Sequence, residues 1–195
     1  MSRDIADSLR QAARQKRSLI VVAVPRLAGK STVLHAILAE RPRSTPVKTL
    51  AEDGEVLEQL QKASAGGYLV IPEITQSAAM PGYIWGAAVR AVFKTAKETV
   101  SLAATLHADG PEDAFAQICD GCRVPDADAA KITMAVALRS IGRWEEPTRR
   151  VVASVHEIQG VKDGRPKLRL LHRWDESRDE FVTAPDAGSG RASRV

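Results

Sequence analysis

The segment Gly29-Lys30-Ser31-Thr32 constrains the fold of this chain more than any other part of the sequence. It follows an apolar run at residues 19–24, which predicts a buried strand, and it opens onto a helix-like segment at residues 32–40. A glycine-lysine-serine turn between a strand and a helix is typical of a phosphate-binding loop. In such a loop backbone N–H groups, the positive end of the helix dipole and a lysine charge surround an anion.

The residues predicted to surround the phosphates of a nucleotide are Arg26, Leu27, Ala28, Gly29, Lys30, Ser31 and Thr32. In a working loop Lys30 neutralises the β- and γ-phosphates of ATP, and the hydroxyl of Ser31 coordinates Mg²⁺. The alternative is a glycine-lysine-serine sequence that occurs by chance at a helix start, but its place directly after a buried strand favours a phosphate loop.

The loop lacks the first glycine of the full signature. Val24 stands in that position, and residues 25–28 contain no glycine. Val24 adds a β-branched side chain where bare backbone is usual, and Leu27 fills a second tight position. These substitutions leave two interpretations open, a loop that binds nucleotide and a loop of the same descent that has lost nucleotide binding.

Strand-like and helix-like segments alternate along most of the chain. The predicted strands are residues 18–24, 47–50, 68–71 and 100–105. The predicted helices are residues 4–16, 32–40, 55–64, 85–97, 111–119 and 127–138. The remaining strands belong to predicted hairpins at residues 150–158, 167–174 and 180–183. This order predicts an α/β fold in three layers, with a largely parallel sheet and C-terminal β-hairpins.

The length of 195 residues fits one domain with short appendages. We predict an N-terminal helix in residues 1–17, the α/β domain in residues 18–183 and a disordered tail in residues 184–195. Hydrophobic residues make up 44% of the chain and aromatic residues only 4%, so the core is expected to be aliphatic. An aliphatic core suits buried parallel strands.

Polar residues stand at the ends of three further predicted strands. Glu52 and Asp53 follow the second, Glu73 closes the third and His107 follows the fourth. Because ligands of such sheets bind at the carboxyl ends of strands, we expect these residues to lie near Lys30. Glu73 is interpreted as the carboxylate that activates water. An ordinary acidic turn and a structural histidine are equal alternatives for Glu52-Asp53 and for His107.

Other features favour simpler interpretations. Cys119 and Cys122 have the spacing of half a zinc site, but the chain has no second cysteine pair, so we interpret them as structural thiols. The net charge of +4 predicts a solvated basic face rather than a nucleic-acid site, since no RNP-type aromatic motif is present. No apolar run reaches the roughly 18–20 residues that span a bilayer, and the polar N-terminus does not resemble a secretory signal. A cytoplasmic location is expected.

Taken in order, these motifs resemble those of the traffic ATPases of type II and type IV secretion and of type IV pilus systems. Gly29-Lys30-Ser31-Thr32 resembles the end of their Walker A motif, and Thr49-Leu50-Ala51-Glu52-Asp53 resembles their acidic box. Leu69-Val70-Ile71-Pro72-Glu73-Ile74 resembles their Walker B motif, and Ala104-Thr105-Leu106-His107-Ala108 their His box. Residues 149–160 and the strand to Trp174 resemble the C-terminal hairpins of the type IV secretion and tight-adherence pilus branch.

The resemblance implies a RecA-like P-loop domain that binds ATP and Mg²⁺. It implies Glu73, His107 and Glu52 as catalytic residues, with His107 sensing the γ-phosphate. It also implies a homo-oligomeric ring such as a hexamer, or pairing with another secretion or pilus ATPase. The implied partners are inner-membrane machinery proteins, and the implied location is the cytoplasmic face of that membrane.

The sequence departs from the family at several positions besides Val24 and Leu27. Thr75 stands where the family has an arginine, and the stretch between Asp53 and Tyr68 is shorter than usual. In the family that stretch carries arginines that complete the active site, so we expect these contacts to come from a neighbouring subunit or a partner. The departures keep a second hypothesis open, a degenerate, non-catalytic paralogue that serves as an assembly or regulatory module.

Overall fold

The computed structural model describes residues 1–24, 27–50, 62–77, 80–96, 99–143 and 145–185. Arg26, Glu52 and Asp53 lie outside the described residues. The same is true of residues 186–195 of the predicted disordered tail and of residues 55–61 of the predicted helix at residues 55–64.

The helices and strands follow one another in nearly the predicted order. The helices are α1 (Arg3–Arg14), α2 (Lys30–Ala39), α3 (Ala87–Thr95), α4 (Pro111–Ala116), which continues into a π-helical turn (Gln117–Gly121), and α5 (Asp126–Ala129). The strands are β1 (Leu19–Val22), β2 (Val47–Thr49), β3 (Tyr68–Ile74), β4 (Tyr83–Ile84), β5 (Ser101–Leu106), β6 (Met134–Gly142), β7 (Pro147–Lys162), β8 (Arg165–Asp175) and β9 (Glu180–Thr183).

The strands form one mixed sheet in the order β2-β3-β5-β1-β6-β7-β8-β9, with β4 beside the end of β3. Every pairing among β1 to β6 is parallel, and the pairings from β6 to β9 are antiparallel. We call β1 to β6 with their loops the parallel part, and β7 to β9 with their turns the hairpin part. The predicted largely parallel sheet is therefore correct for the parallel part, and the predicted hairpins are present.

Residues 127–138 were predicted as one helix, and this prediction is wrong. They form the short helix α5 and the first half of β6, a central strand that pairs with β1 on one side and with β7 on the other. The run from Met134 to Leu138 is buried on both faces, so its apolar residues are continuous and do not alternate. A continuous apolar run fits a helix as well as a central strand, and only the distant strand β1 decides between them.

Helices cover both faces of the sheet and fix the position of β1. Leu19 and Val21 pack with α1 and α2 on one face, and Ile20 and Val22 pack with α3 and α4 on the other. Successive side chains of a strand point to opposite faces, so all four of these residues are buried. Burial of each such side chain contributes about 1.5–3 kcal/mol. The loop that follows β1 therefore starts from a strand that is held rigidly on both sides.

Candidate functional site

The loop after β1 ends at Gly29, which is the N-cap of α2. Gly29 has a φ of +91°, in the left-handed region that favours glycine. No side chain caps the helix, and its first turn contains no acidic residue. The positive end of the helix dipole and the first-turn amides therefore have no competing carboxylate on α2 itself. Such a helix start is suited to an anion.

The side chains of Val24 and Leu27 do not fill the loop. Val24 is 50% exposed and its φ is not positive, so the missing first glycine imposes no left-handed strain there. Leu27 is 70% exposed, so the prediction that its side chain fills a tight position is wrong. The effect of Leu27 is on the backbone, since its φ of +64° is unfavourable for a residue with a branched side chain. Its carbonyl oxygen accepts a hydrogen bond of 2.8 Å from Nε of Arg150 on β7.

Three polar side chains meet beside the loop, at the carboxyl ends of β1, β3 and β5. Lys30 Nζ lies 3.5 Å from Glu73 Oε2, and it lies 3.4 Å and 3.3 Å from the two ring nitrogens of His107. The side chains of Lys30 and Glu73 are each only 7% exposed. Because the lysine and glutamate charges are buried together, each reduces the cost of burying the other. We call Lys30, Glu73 and His107 the buried cluster.

Thr105 fixes the carboxylate of the buried cluster. Strand β3 continues through Pro72 and Glu73 to Ile74, three residues beyond its predicted end. Proline has no N–H to donate, and the β3–β5 register shifts between Ile71 and Ile74. The hydroxyl of Thr105 on β5 lies 2.8 Å from Glu73 Oε2 and 2.5 Å from the carbonyl oxygen of Pro72. It thus joins the irregular end of β3 to β5.

The other carboxylate oxygen of Glu73 has no hydrogen-bond partner among the described residues, although it is buried. Buried carboxylate oxygens are nearly always hydrogen-bonded, and Glu73 lines a cavity, so this orphan acceptor points to a donor that a ligand or water supplies. The two oxygens of Glu73 therefore differ: Oε2 is hydrogen-bonded to Thr105, and Oε1 has no donor among the described residues.

A cavity of about 920 Å³ lies above the buried cluster, within the range of roughly 300–1,000 Å³ that is common for small-molecule sites. Most of the residues predicted for the site line it: Leu27, Ala28, Gly29, Lys30, Ser31, Thr32, Glu73 and His107. Arg26 and Glu52 were also predicted for the site, but they lie outside the described residues. The loop and two of the three predicted catalytic residues thus share one cavity.

Two residues of the site were missed by the sequence analysis. Thr105 had a weak signal, since it is the one hydroxyl side chain in the apolar run Leu102-Ala103-Ala104-Thr105-Leu106. Arg150 had none, because it belongs to the hairpin part and contacts the loop across 123 positions of sequence. Such contacts depend on the order of the strands in the sheet.

The cysteine pair lies in and after the π-helical turn that follows α4. Both thiols are buried and unbonded to each other. Burial, followed by the negative charges of Asp126 and Asp120, raises the pKa of Cys119 to about 11, and burial also raises the pKa of Cys122. Protonated thiols are poor nucleophiles and metal ligands. In the described part of the chain no cluster of His, Cys, Asp and Glu could hold a metal ion by itself.

Within the described residues no helix is long and apolar enough to cross a membrane.

A comparison with solved structures finds the same fold in a secretion ATPase. The chain is similar to the VirB11 ATPase of the Brucella suis type IV secretion system, whose crystal structure contains sulphate, with a TM-score of 0.58 and 16% sequence identity. The chain folds like a secretion ATPase. The similarity covers 78% of this chain and 51% of that one, so the chain spans about half the length of the VirB11 ATPase. At this identity the likeness shows the fold alone.

No protein-family model matches the sequence, and no curated protein matches it either. The similarity between this chain and the secretion ATPase is therefore one of structure.

Proposed function

We propose that this chain is a nucleotide-binding domain of the traffic-ATPase type, which binds ATP with Mg²⁺ in the cavity at the carboxyl ends of β1, β3 and β5. The observation that carries the proposal is the buried cluster, a lysine, a carboxylate and a histidine gathered at the start of an uncapped helix. A purely structural ion pair does not require an orphan carboxylate oxygen or a cavity in front of it.

The residues present fit these ligands. The amides at the start of α2 and the ammonium of Lys30 would hold the phosphates, and the exposed hydroxyl of Ser31 would hold Mg²⁺. Mg²⁺ usually keeps several waters and needs few protein ligands beside the substrate phosphates, so one hydroxyl is enough. When bound, it would neutralise phosphate charge and polarise the phosphoryl oxygens.

Glu73 would act on the attacking water. Thr105 holds Oε2 in place, which leaves Oε1 to accept the proton of a water. Lys30 links this role to binding, because its ammonium is held by the same carboxylate. A phosphate that draws Lys30 towards itself would weaken the ion pair and make the carboxylate a stronger acceptor. His107 contacts the same ammonium, so it would respond to the same change.

We further propose that nucleotide turnover is coupled to conformational change in an assembly. The assembly would be a homo-oligomeric ring such as a hexamer, or a complex with another secretion or pilus ATPase. It would work on inner-membrane machinery from the cytoplasmic face. The motif resemblance and the fold shared with a secretion ATPase support this proposal.

A second candidate function is a regulatory or assembly module that binds nucleotide without hydrolysis, or binds none. Two observations favour it: the strained φ of Leu27 in the loop and the engagement of Lys30 by Glu73 and His107. Both make it harder for phosphate to enter the loop than in an open one.

Calorimetric titration and phosphate release separate these functions. Wild type, Glu73→Gln and the control Lys167→Gln, an exposed lysine on β8, are titrated with MgATP and with a non-hydrolysable analogue. We expect saturable binding in all three and phosphate release that falls about 100-fold or more in Glu73→Gln alone. Binding with no release that depends on Glu73 would support the regulatory module. The absence of saturable heat at millimolar nucleotide would contradict nucleotide binding altogether.

A further inference from the structure

We propose that Arg150 is a phosphate-binding residue of the same cavity, supplied by β7 of the same chain; this inference rests on the proposed nucleotide site. Arg150 lines the cavity together with Lys30 and Glu73. Its Nε donates a hydrogen bond of 2.8 Å to the carbonyl oxygen of Leu27, and its Cδ lies 3.6 Å from the point where a Cβ on Gly29 would stand. The side chain is thus laid along the loop itself.

The charges of the cavity explain why this arginine matters. Among the described lining residues the charged side chains, leaving aside the histidine, are Lys30, Glu73 and Arg150. The ion pair between Lys30 and Glu73 cancels within the cluster. Arg150 therefore gives the described cavity its net positive charge, which an anionic ligand requires.

Arg150 is suited to phosphate because most of its donors are not used by the loop. Among the described residues the side chain of Arg150 donates only to the carbonyl oxygen of Leu27, and no carboxylate of those residues lies within ion-pair distance of its guanidinium. A guanidinium has five N–H donors in a planar fork that matches phosphate oxygens. With Nε fixed on Leu27, the terminal nitrogens of the exposed side chain remain for a phosphate of the ligand.

The neighbouring residue Arg149 shows the opposite arrangement and gives a matched control. Adjacent residues of a strand point to opposite faces, and Arg149 is directed away from the cavity. Both of its bonds, of 2.7 Å each, go to Asp179, and its guanidinium lies 5.9 Å from the ring centre of Trp174. Arg149→Gln thus removes an arginine from the same strand without touching the cavity.

The test compares binding by wild type, Arg150→Gln, Arg150→Lys and Arg149→Gln at low and high salt. The ligands are ADP, a non-hydrolysable ATP analogue and inorganic pyrophosphate, each with Mg²⁺. We expect Arg150→Gln to weaken binding about tenfold at low salt, the value of one charge-assisted hydrogen bond, while Arg150→Lys, which keeps the charge but not the planar fork, recovers only part of the affinity and Arg149→Gln retains all of it. The loss should shrink as salt screens the exposed charge.

Three results of the nucleotide titrations would overturn the proposal. Arg150→Gln could bind as wild type does, or Arg149→Gln could lose as much. The loss could also be equal at low and high salt and unrelieved by lysine, which would mean that Arg150 only positions the loop through Leu27. If wild type binds neither nucleotide, the proposed function fails, and the pyrophosphate titration then tests the role of Arg150 by itself. Pyrophosphate binding by wild type that Arg150→Gln weakens would support a phosphate-binding role for Arg150. The absence of pyrophosphate binding by wild type would contradict that role.

Discussion

The parallel part and the hairpin part of the sheet each contain an ion pair between a cation and a carboxylate, and the two pairs differ in burial and in the distance between their charges. In the hairpin part Arg149 and Asp179 are exposed and meet through two contacts of 2.7 Å. In the parallel part Lys30 and Glu73 are buried and stand 3.5 Å apart. Burial raises the free-energy cost of an imperfect contact between charges. The longer ion pair, Lys30 with Glu73, therefore lies where a long contact is most unfavourable.

This difference suggests that the two pairs serve different ends. Hydrogen bonds from Arg149 and from Trp174 lower the pKa of Asp179, so that pair is complete within the fold. The pair in the parallel part leaves Glu73 Oε1 without a donor among the described residues. We interpret the pair of Arg149 and Asp179 as a structural contact that stabilises the packing of β7 to β9. We interpret the pair of Lys30 and Glu73 as part of a site whose remaining hydrogen bonds a ligand supplies.

The largest effect is expected from breaking the buried pair. Lys30→Ala leaves the carboxylate of Glu73 buried without a cation, which should lower the free energy of unfolding by about 3–5 kcal/mol. Arg149→Ala should change it far less, because solvent screens an exposed pair. Urea denaturation of both variants measures the contrast. Equal losses would remove the distinction between the two parts.

A double variant separates the effect of an unpaired charge on stability from the effect of lost packing. Lys30→Met/Glu73→Met replaces the buried pair by apolar side chains of similar size, and it should regain most of the stability that Lys30→Ala loses. A double variant as unstable as the single one would show that packing, rather than an unpaired charge, sets the cost.

The next largest effect is expected at Thr105. Thr105→Val removes the hydroxyl that holds Glu73 Oε2 and should cost about 1.5–3 kcal/mol, whereas Thr105→Ser should retain the bond. In the hairpin part, Thr148 donates an exposed hydrogen bond of 3.1 Å to Ile141, and Thr148→Val should alter stability little. Denaturation midpoints of the three variants test this. A Thr105→Val protein as stable as wild type would contradict the role given to the hydroxyl.

A smaller effect with the opposite sign is expected at Leu27. Leu27→Gly relieves a left-handed φ at an exposed residue and should raise stability by about 1 kcal/mol. Asp163, with a φ of +51° in the turn between β7 and β8, is the control in the hairpin part. Aspartate tolerates this conformation better than leucine, so Asp163→Gly should gain less. Thermal unfolding of both variants gives the answer, and a destabilised Leu27→Gly protein would show that the loop is not strained.

The smallest effect concerns pH and lies in the hairpin part. Burial lowers the pKa of His172 and of His156 below the usual 6.5. Below pH 6.5 the unfolded chain therefore binds more protons than the folded one, so stability is complete above this pH and declines on acidification through the folded pKa values. His172, which bonds Ser8 and Thr183, links α1 to β8 and β9. His172→Gln should flatten the decline between pH 6.5 and 5, and an unchanged profile would exclude His172 as its source.

The parallel part could be predicted well from the sequence because its signals are local. Residues 19–40 indicate both the strand at β1 and the helix α2, although α2 begins at Lys30, two residues before its predicted start. The convergence of Lys30, Glu73 and His107 follows from one rule about strand ends, since parallel strands end at the same edge. The failure at β6 has the same origin: a strand buried on both faces has no period to distinguish it from a helix.

The details of the site could not be predicted because they arise between distant segments. The contact from Arg150 to Leu27 depends on the order of β1, β6 and β7 in the sheet. The ion pair of Lys30 with Glu73 depends on the extension of β3 through Pro72. The sequence suggested that arginine contacts would have to come from a neighbouring subunit, whereas the fold brings one arginine of the same chain to the cavity.

The central claim is that the buried cluster is a ligand site and not a structural ion pair. The most direct measurement is a calorimetric titration of wild type, Lys30→Met/Glu73→Met and Arg149→Gln with the magnesium complex of a non-hydrolysable ATP analogue. We expect saturable binding by wild type and by Arg149→Gln, and none by a double variant that remains folded. Equal binding by all three, or binding by none at millimolar ligand, would contradict the claim.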